Sequence, residues 1–343
     1  MAKAKKKSKH ISYLVRLLIA AAALYFAFKG ESAKDIIRDF CNPNLFLTYV
    51  IAIALNFAGQ LVFVLRWLIL LRVPSVHVNY WAALKLHMLG LFYNNCLPGA
   101  VGGDALRAWY VTKHTDKKIE AALSVFIDRA VGMACTIAMV FLTYWLLPKG
   151  GKETQFTLGA EFNFVSLAIK FLLAGLVLVV LAAAVVVVMF YSRKLRPKLL
   201  TYLFILSIKW KLWVARVLEA IRLYCTKPFT LILAIILSFT CQSLPIIGLY
   251  LIGSKLGIQA NIRYYFMFFP MSWIIGIIPI SVGGAGVMEL GLKGLFGKVA
   301  QVTTQQGLGL ALAQRIIWLL TSIPGVIIHL TGKHLPKMEE ERF

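Results

Sequence analysis

Five ionisable residues interrupt stretches that are otherwise apolar: Asp104, Asp128, Arg129, Glu289 and Arg315. Each such group costs about 2.5 to 3.5 kcal/mol at the centre of a bilayer, so each needs a partner, a cavity or a route to the interface. Asp128 and Arg129 are adjacent, and on a helix their side chains diverge by about 100°, so they cannot simply neutralise each other. Arginine is a planar, permanently charged partner for phosphate or carboxylate. The carboxylates suit a cationic headgroup or the carriage of coupling protons. Asp104 follows Gly102-Gly103 where a helix N-cap should stand, and capping is one reading of it. The other is that the following half-helix offers its unpaired N–H groups and positive dipole end to an anion, the glycines letting a phosphate approach. Gly283-Gly284-Ala285-Gly286 offers a second such turn, with Glu289 one helical turn further along and expected to face the same cavity. The candidate binding set is therefore Gly102, Gly103, Asp104, Asp128, Arg129, Gly283, Gly284, Glu289 and Arg315, with no catalytic residue and no metal ligand cluster.

The elements that must hold these residues are transmembrane helices. A chain of 343 residues that is 60% hydrophobic and 15% charged, with mean hydropathy +0.78, is an integral membrane protein rather than two or three soluble domains. A bilayer core of about 30 Å needs roughly 20 apolar residues in a helix. Six stretches meet this, at residues 12–28, 45–71, 119–147, 162–191, 229–251 and 307–330. Two more, 80–111 and 262–297, are interrupted by Leu97-Pro98-Gly99-Ala100-Val101-Gly102-Gly103 and Ile278-Pro279-Ile280-Ser281-Val282-Gly283-Gly284, and each reads as a helix, a break and a second short helix. If both broken pairs re-enter on the side they left, about 24 Lys and Arg fall inside and about nine outside, the asymmetry that orients membrane proteins. Both termini are then cytoplasmic. The Lys-rich start and Ala20-Ala21-Ala22-Ala23 also fit a signal peptide; an uncleaved first span is the preferred reading.

The breaks superpose as Pro98-x-x-Val101-Gly102-Gly103 and Pro279-x-x-Val282-Gly283-Gly284. Each sits between two long spans, and each following span carries an arginine after a polar neighbour, Asp128-Arg129 and Gln314-Arg315. The expected fold is an all-α polytopic membrane protein with six full transmembrane helices and two re-entrant broken-helix hairpins in inverted-topology repeats. Residues 1–343 form a single membrane domain, in which 45–147 is the first repeat and 228–331 the second. Arg129 and Arg315 each lie about 14 Å along their helices, near the bilayer centre, and the hairpin tips should approach each other there, as in transporters that work by alternating access. Between the repeats, residues 192–227 form a basic linker where Lys209, Lys211, Arg216 and Arg222 alternate with Leu206, Trp210, Trp213 and Val217, an interfacial amphipathic pattern.

The net charge of +23 raises nucleic-acid binding, but the basic residues lie in short segments between apolar runs rather than in one polar domain. Five cysteines without CxxC spacing indicate neither a disulfide framework nor a zinc site. No Walker A, GxSxG or HExxH motif is present, and no cofactor is expected. Arg66 lies near the end of its span and is expected to snorkel. Asn56, Gln60, Asn94, Asn95 and Gln242 suit hydrogen bonds between helices, and His87 reads as a packed residue.

Phe92-Tyr93-Asn94-Asn95-Cys96-Leu97-Pro98-Gly99-Ala100-Val101-Gly102-Gly103-Asp104-Ala105-Leu106-Arg107-Ala108 resembles the signature of the lysylphosphatidylglycerol synthase transmembrane family, also called the flippase-like family. Asp128-Arg129-Ala130-Val131-Gly132 and Pro279-Ile280-Ser281-Val282-Gly283-Gly284-Ala285-Gly286-Val287-Met288-Glu289 resemble its later motifs. The resemblance implies a flippase moving a phospholipid, such as aminoacylated phosphatidylglycerol, between leaflets of a bacterial plasma membrane, which weakens attraction of cationic antimicrobial peptides. It implies membrane phospholipid, a separate lipid-modifying synthase and a second copy of the chain as partners, and no nucleic acid. The aminoacyl-tRNA-dependent transferase domain that follows this region in full-length relatives is not expected here, since the chain ends shortly after Thr331, so the chain is not expected to be an enzyme. Two other readings remain open: an integral-membrane transferase acting on a lipid-linked group, with Asp104 or Glu289 as base, and an ion-coupled exporter of a small solute.

Overall fold

The computed structural model describes residues 43–96, 102–146, 215, 219, 222–224, 226–277, 284–297, 299 and 302–331. Apart from residues 215, 219, 222 and 223, these fall in one compact unit. Its helices are α1 (Pro43–Arg72), α2 (Tyr80–Cys96), α3 (Gly102–Val111), α4 (Lys118–Leu146), α5 (Pro228–Lys255), α6 (Ile262–Ile277), α7 (Val287–Phe296) and α8 (Thr304–Thr331). No strand occurs among the described residues. Four helices, α1 from Leu45 together with α4, α5 and α8, are long and apolar enough to cross a membrane. They coincide with four of the expected spans. The spans expected at 12–28 and 162–191, the breaks at 97–101 and 278–283, and nearly all of the linker at 192–227 lie outside the described residues.

Side-chain placement on the long helices suits a lipid environment. On α4 the buried face carries small and polar residues, Ala121, Ser124, Asp128 and Thr136 among them, while Phe126, Phe141 and Trp145 are turned outward. Between helices in lipid there is little hydrophobic drive, so contact depends on small residues that let backbones approach and on polar side chains that bond across.

Local chemistry sets where helices start. Asn79 and Asn261 precede α2 and α6, and each side-chain oxygen accepts the N–H two residues on, from Trp81 at 3.3 Å and Arg263 at 3.0 Å. Pro228 opens α5, where a missing N–H costs nothing. Thr303 and Gln306 form a reciprocal cap at the start of α8, with the Gln306 N–H donating to Thr303 Oγ1 and the Thr303 N–H donating to Gln306 Oε1. Gln306 Nε2 also donates to the carbonyl of Leu256, tying α8 to the end of α5.

The short helices form two antiparallel hairpins. In the first, Gly103 of α3 packs against Gly90 of α2, Arg107 lies beside His87, and Val111 is buried with Val76, Ala83 and Leu86 near the start of α2. In the second, Met288 of α7 packs on Gly276 of α6, and Phe296 meets Tyr265 and Phe268 near the start of α6. Each hairpin thus ends beside its own beginning.

Helices α1 and α5 run antiparallel along a seam of small residues: Gly59 faces the Cys241 carbonyl and Pro245, and Gly248 faces Ala52. Pro245 has no N–H to donate to Cys241, which leaves that carbonyl free of its helical partner at the point where Gly59 comes close. Around the seam the two halves make matching pairings: α2 packs on α8 as α6 packs on α4, and α1 meets α4 as α5 meets α8.

A methyl group on Gly103 would overlap the carbonyl oxygen of Gly90 and crowd the Asn94 side chain, whereas one on Gly294 would meet nothing within 4 Å. Gly103→Ala is therefore expected to cost about 1 to 3 kcal/mol through overpacking. Gly294→Ala should be neutral or slightly stabilising, since alanine is the better helix former. Thermal unfolding of the two variants in detergent checks this; equal midpoints would show that the hairpin does not depend on the glycine contact.

Candidate functional site

Asp128 of α4 is fully buried and holds two arginines. Arg66 Nε of α1 donates to its Oδ1 at 2.8 Å and Arg107 Nη2 of α3 to its Oδ2 at 3.0 Å. Arg66 also donates through Nη1 to Ser238 Oγ of α5 at 2.9 Å and through Nη2 to the main-chain oxygen of Asp128 at 3.3 Å. Asp104, in the first turn of α3, faces Arg107 Nη2 at 3.6 Å and pairs closely with Arg129 Nη2. Three guanidiniums and two carboxylates thus join α1, α3 and α4, with a hydroxyl from α5. Aromatic faces complete the shell: Arg66 lies over Phe63, with 4.3 Å between guanidinium carbon and ring centroid, and Arg107 over Trp67 at 4.7 Å.

From this network a chain of hydrogen bonds leads along α1. Arg107 Nη1 lies 3.4 Å from His87 Nδ1, His87 Nε2 lies 2.8 Å from Gln60 Oε1, and Gln60 Nε2 donates to Asn56 Oδ1 at 3.4 Å. His87 stacks on Phe63 with centroids 4.3 Å apart.

The second half carries a simpler pair. Arg315 Nε of α8 bonds closely to Glu289 Oε1 of α7, and Glu289 Oε2 accepts the N–H of Gly286 at 2.7 Å. Gly284 and Gly286 have φ of 69° and 80°, left-handed values that glycine adopts without strain. In both halves, an acid in the first turn of the returning hairpin helix takes the arginine of the following long helix.

Between the hairpins lies a partly open cavity of about 200 Å³, room for several waters or a polar headgroup. One wall is polar, with Asn56, Gln60, Arg66, His87, Asn94 and Arg129. Another is apolar and aromatic, with Phe269, Trp273, Met288 and Trp318. Asn94 and Asn95 near the end of α2 and Gly276 and Met288 at the turn of the second hairpin all border it, so both hairpin tips meet the same space.

Asp104, Asp128 and Arg129 come together in one network, and Arg129 alone of the three lines the cavity. Asp128 and Arg129 do point apart, to different partners. Gly102 begins α3. The N–H of Gly103 is bonded to Asn94 Oδ1 at 2.8 Å. Glu289 and Arg315 are not in the large cavity, as the helical spacing suggests for Glu289, but line a pocket of about 10 Å³ that shares Phe269, Met288 and Trp318 with it; the Gly286 N–H draws the carboxylate back into its own turn. Gly284 packs against the Gly276 carbonyl and Met288, and Gly283 lies outside the described residues. Arg66 does not snorkel: it is 2% exposed, because Asp128 and Ser238 supply inside the bundle what the interface would otherwise supply. Arg107 is the other residue that sequence reasoning passed over, and its signal was the spacing from Asp104, three residues apart on one helix face.

Removing the carboxylate that two buried arginines share should be expensive, about 3 to 5 kcal/mol, since both charges lose compensation. Asp128→Asn is expected to lower the unfolding midpoint of detergent-solubilised protein strongly, and Asp116→Asn, at an exposed position, to leave it unchanged. Similar midpoints for both would show that the network carries no stability.

The family model for the lysylphosphatidylglycerol synthase TM region matches residues 13–325. A UPF0104 membrane protein of Methanothermobacter thermautotrophicus is 24% identical over 336 residues, covering 92% of this chain and 94% of its own length. With its membrane-length helices and a match across nearly its whole length, the chain is an integral membrane protein that belongs to the lysylphosphatidylglycerol synthase transmembrane-region family.

Proposed function

We propose that this protein is a flippase that carries phospholipid between the leaflets of a bacterial plasma membrane. Arg129 and Arg66 on the polar wall receive the headgroup phosphate, and the acyl chains stay in the bilayer. The observation that carries this reading is the cavity itself, with arginines on one wall and aromatic and apolar side chains on another, bordered by both hairpin tips. Such a lining matches a molecule with a charged head on an apolar body. The matching pairings of the halves, with α1 antiparallel to α5, support inverted repeats. Hairpins that finish beside their own starts support re-entry rather than crossing, and with the stretches at 12–28 and 162–191 as spans the total is six. Rocking one repeat against the other would then expose the cavity to each leaflet in turn.

The test is leaflet exchange of labelled phosphatidylglycerol, lysyl-phosphatidylglycerol and phosphatidylcholine in proteoliposomes, measured against empty vesicles. The parental protein should accelerate exchange of at least one lipid. Arg129→Ala should slow it by about tenfold or more, the loss expected for a hydrogen bond to a charged group. Exchange at the parental rate by folded Arg129→Ala would overturn the role given to Arg129, and absence of exchange by the folded parental protein would overturn translocation.

A further inference from the structure

Each of the buried carboxylates is already paired with arginine. Asp128 divides its oxygens between Arg66 and Arg107, Asp104 between Arg107 and Arg129, and Glu289 between Arg315 and the Gly286 N–H. Among the described residues no Asp or Glu lines the large cavity, while Arg66 and Arg129 do. His87 adds no negative charge and no free acceptor. Its Nδ1 faces a guanidinium, which can only donate, so the ring proton sits on Nε2 and is given to Gln60 Oε1. The other polar side chains of the described lining are uncharged, the amides of Asn56, Asn94, Asn95 and Gln242 and the hydroxyls of Thr136 and Thr321 among them.

Positive charge, by contrast, is in surplus. Three guanidiniums face two carboxylates in the network beside the cavity, and the Nε atoms of Arg107 and Arg129 are buried without a hydrogen-bond partner. An uncompensated buried charge is costly, and one bound anion removes the deficit. We propose that this cavity selects a net-anionic phosphodiester lipid, whose headgroup carries no charge beyond its phosphate, and disfavours an aminoacylated headgroup whose ammonium groups make the lipid net cationic. The inference rests on the translocation reading and departs from the headgroup that the family resemblance implies. The phosphate would be equally welcome in both lipids; the ammonium groups decide, because among the described lining residues they meet guanidiniums and no carboxylate.

Competition between the two lipids tests this in proteoliposomes of the full chain. Phosphatidylglycerol is expected to exchange about tenfold or more faster than lysyl-phosphatidylglycerol, the scale set by unit charges some 10 Å apart at an effective dielectric constant near 20. Asn94→Asp adds a carboxylate to the cavity wall while keeping the oxygen that accepts the Gly103 N–H, and it should narrow that ratio. Equal rates, or faster lysyl-phosphatidylglycerol, would overturn the selectivity and leave translocation standing; a ratio unaltered in folded Asn94→Asp would overturn the charge argument. If the folded protein moves neither lipid, translocation fails, and native mass spectrometry of the detergent-solubilised chain with short-chain forms of both lipids separates the two ideas. Preferential retention of phosphatidylglycerol would keep the anionic site as a binding site, and equal or no retention would remove it.

Discussion

One carboxylate, that of Asp128, fixes the arrangement of the first half. It is the point where α1, α3 and α4 meet, because Arg66 and Arg107 reach it from two other helices and both of its oxygens are used. Neither arginine could stay so deeply buried without it, and without Arg107 held in place α3 would lose one of its two ionic links to α4, keeping the Asp104–Arg129 pair. The small residues follow from the same constraint. Gly90 and Gly103 bring α2 and α3 close together, and Gly132 leaves space for the Arg66 guanidinium, whose Nη1 would lie 3.1 Å from a methyl group placed there.

The two halves share a skeleton and differ in charge. Both have a capped outgoing helix, a glycine-to-helix closure and an acid in the returning helix that takes an arginine from the long helix after it. Only the first half adds Arg66 and Arg107, and the cavity reaches Arg129 but not Arg315. The frame is symmetric and the wall is not: the cavity-lining guanidiniums, Arg66 and Arg129, both stand on long helices of the first half.

Much of this was legible before any coordinates. The long apolar runs marked α1, α4, α5 and α8, since length and hydropathy are local properties. The Pro-Gly clusters marked where α2 gives way to α3 and α6 to α7, and the isolated ionisable residues marked most of the network. What the sequence did not disclose depends on approach between distant segments. Arg66 sits about 9 Å from the end of α1, within reach of an interface, and only the arrival of Asp128 and Ser238 keeps it inside. The Gly103 N–H looked available because nothing local competes for it; Asn94 does, from the neighbouring helix. Glu289 looked cavity-facing by helical spacing, and a backbone N–H three residues earlier turned it aside.

The seam between α1 and α5 has a mechanical consequence. Gly59 lies against the Cys241 carbonyl and the Pro245 ring, and Gly248 against Ala52, so at these points the two backbones come close together. Contact there is made by backbone and small groups, which sets how closely the two helices approach. At one end the seam is fastened by the Arg66 bond to Ser238 and by the Tyr224 hydroxyl on the Leu70 carbonyl. Because Arg66 also holds Asp128 and lines the cavity, this catch couples the pairing of α1 and α5 to the charge network of the first half and to the wall of the cavity.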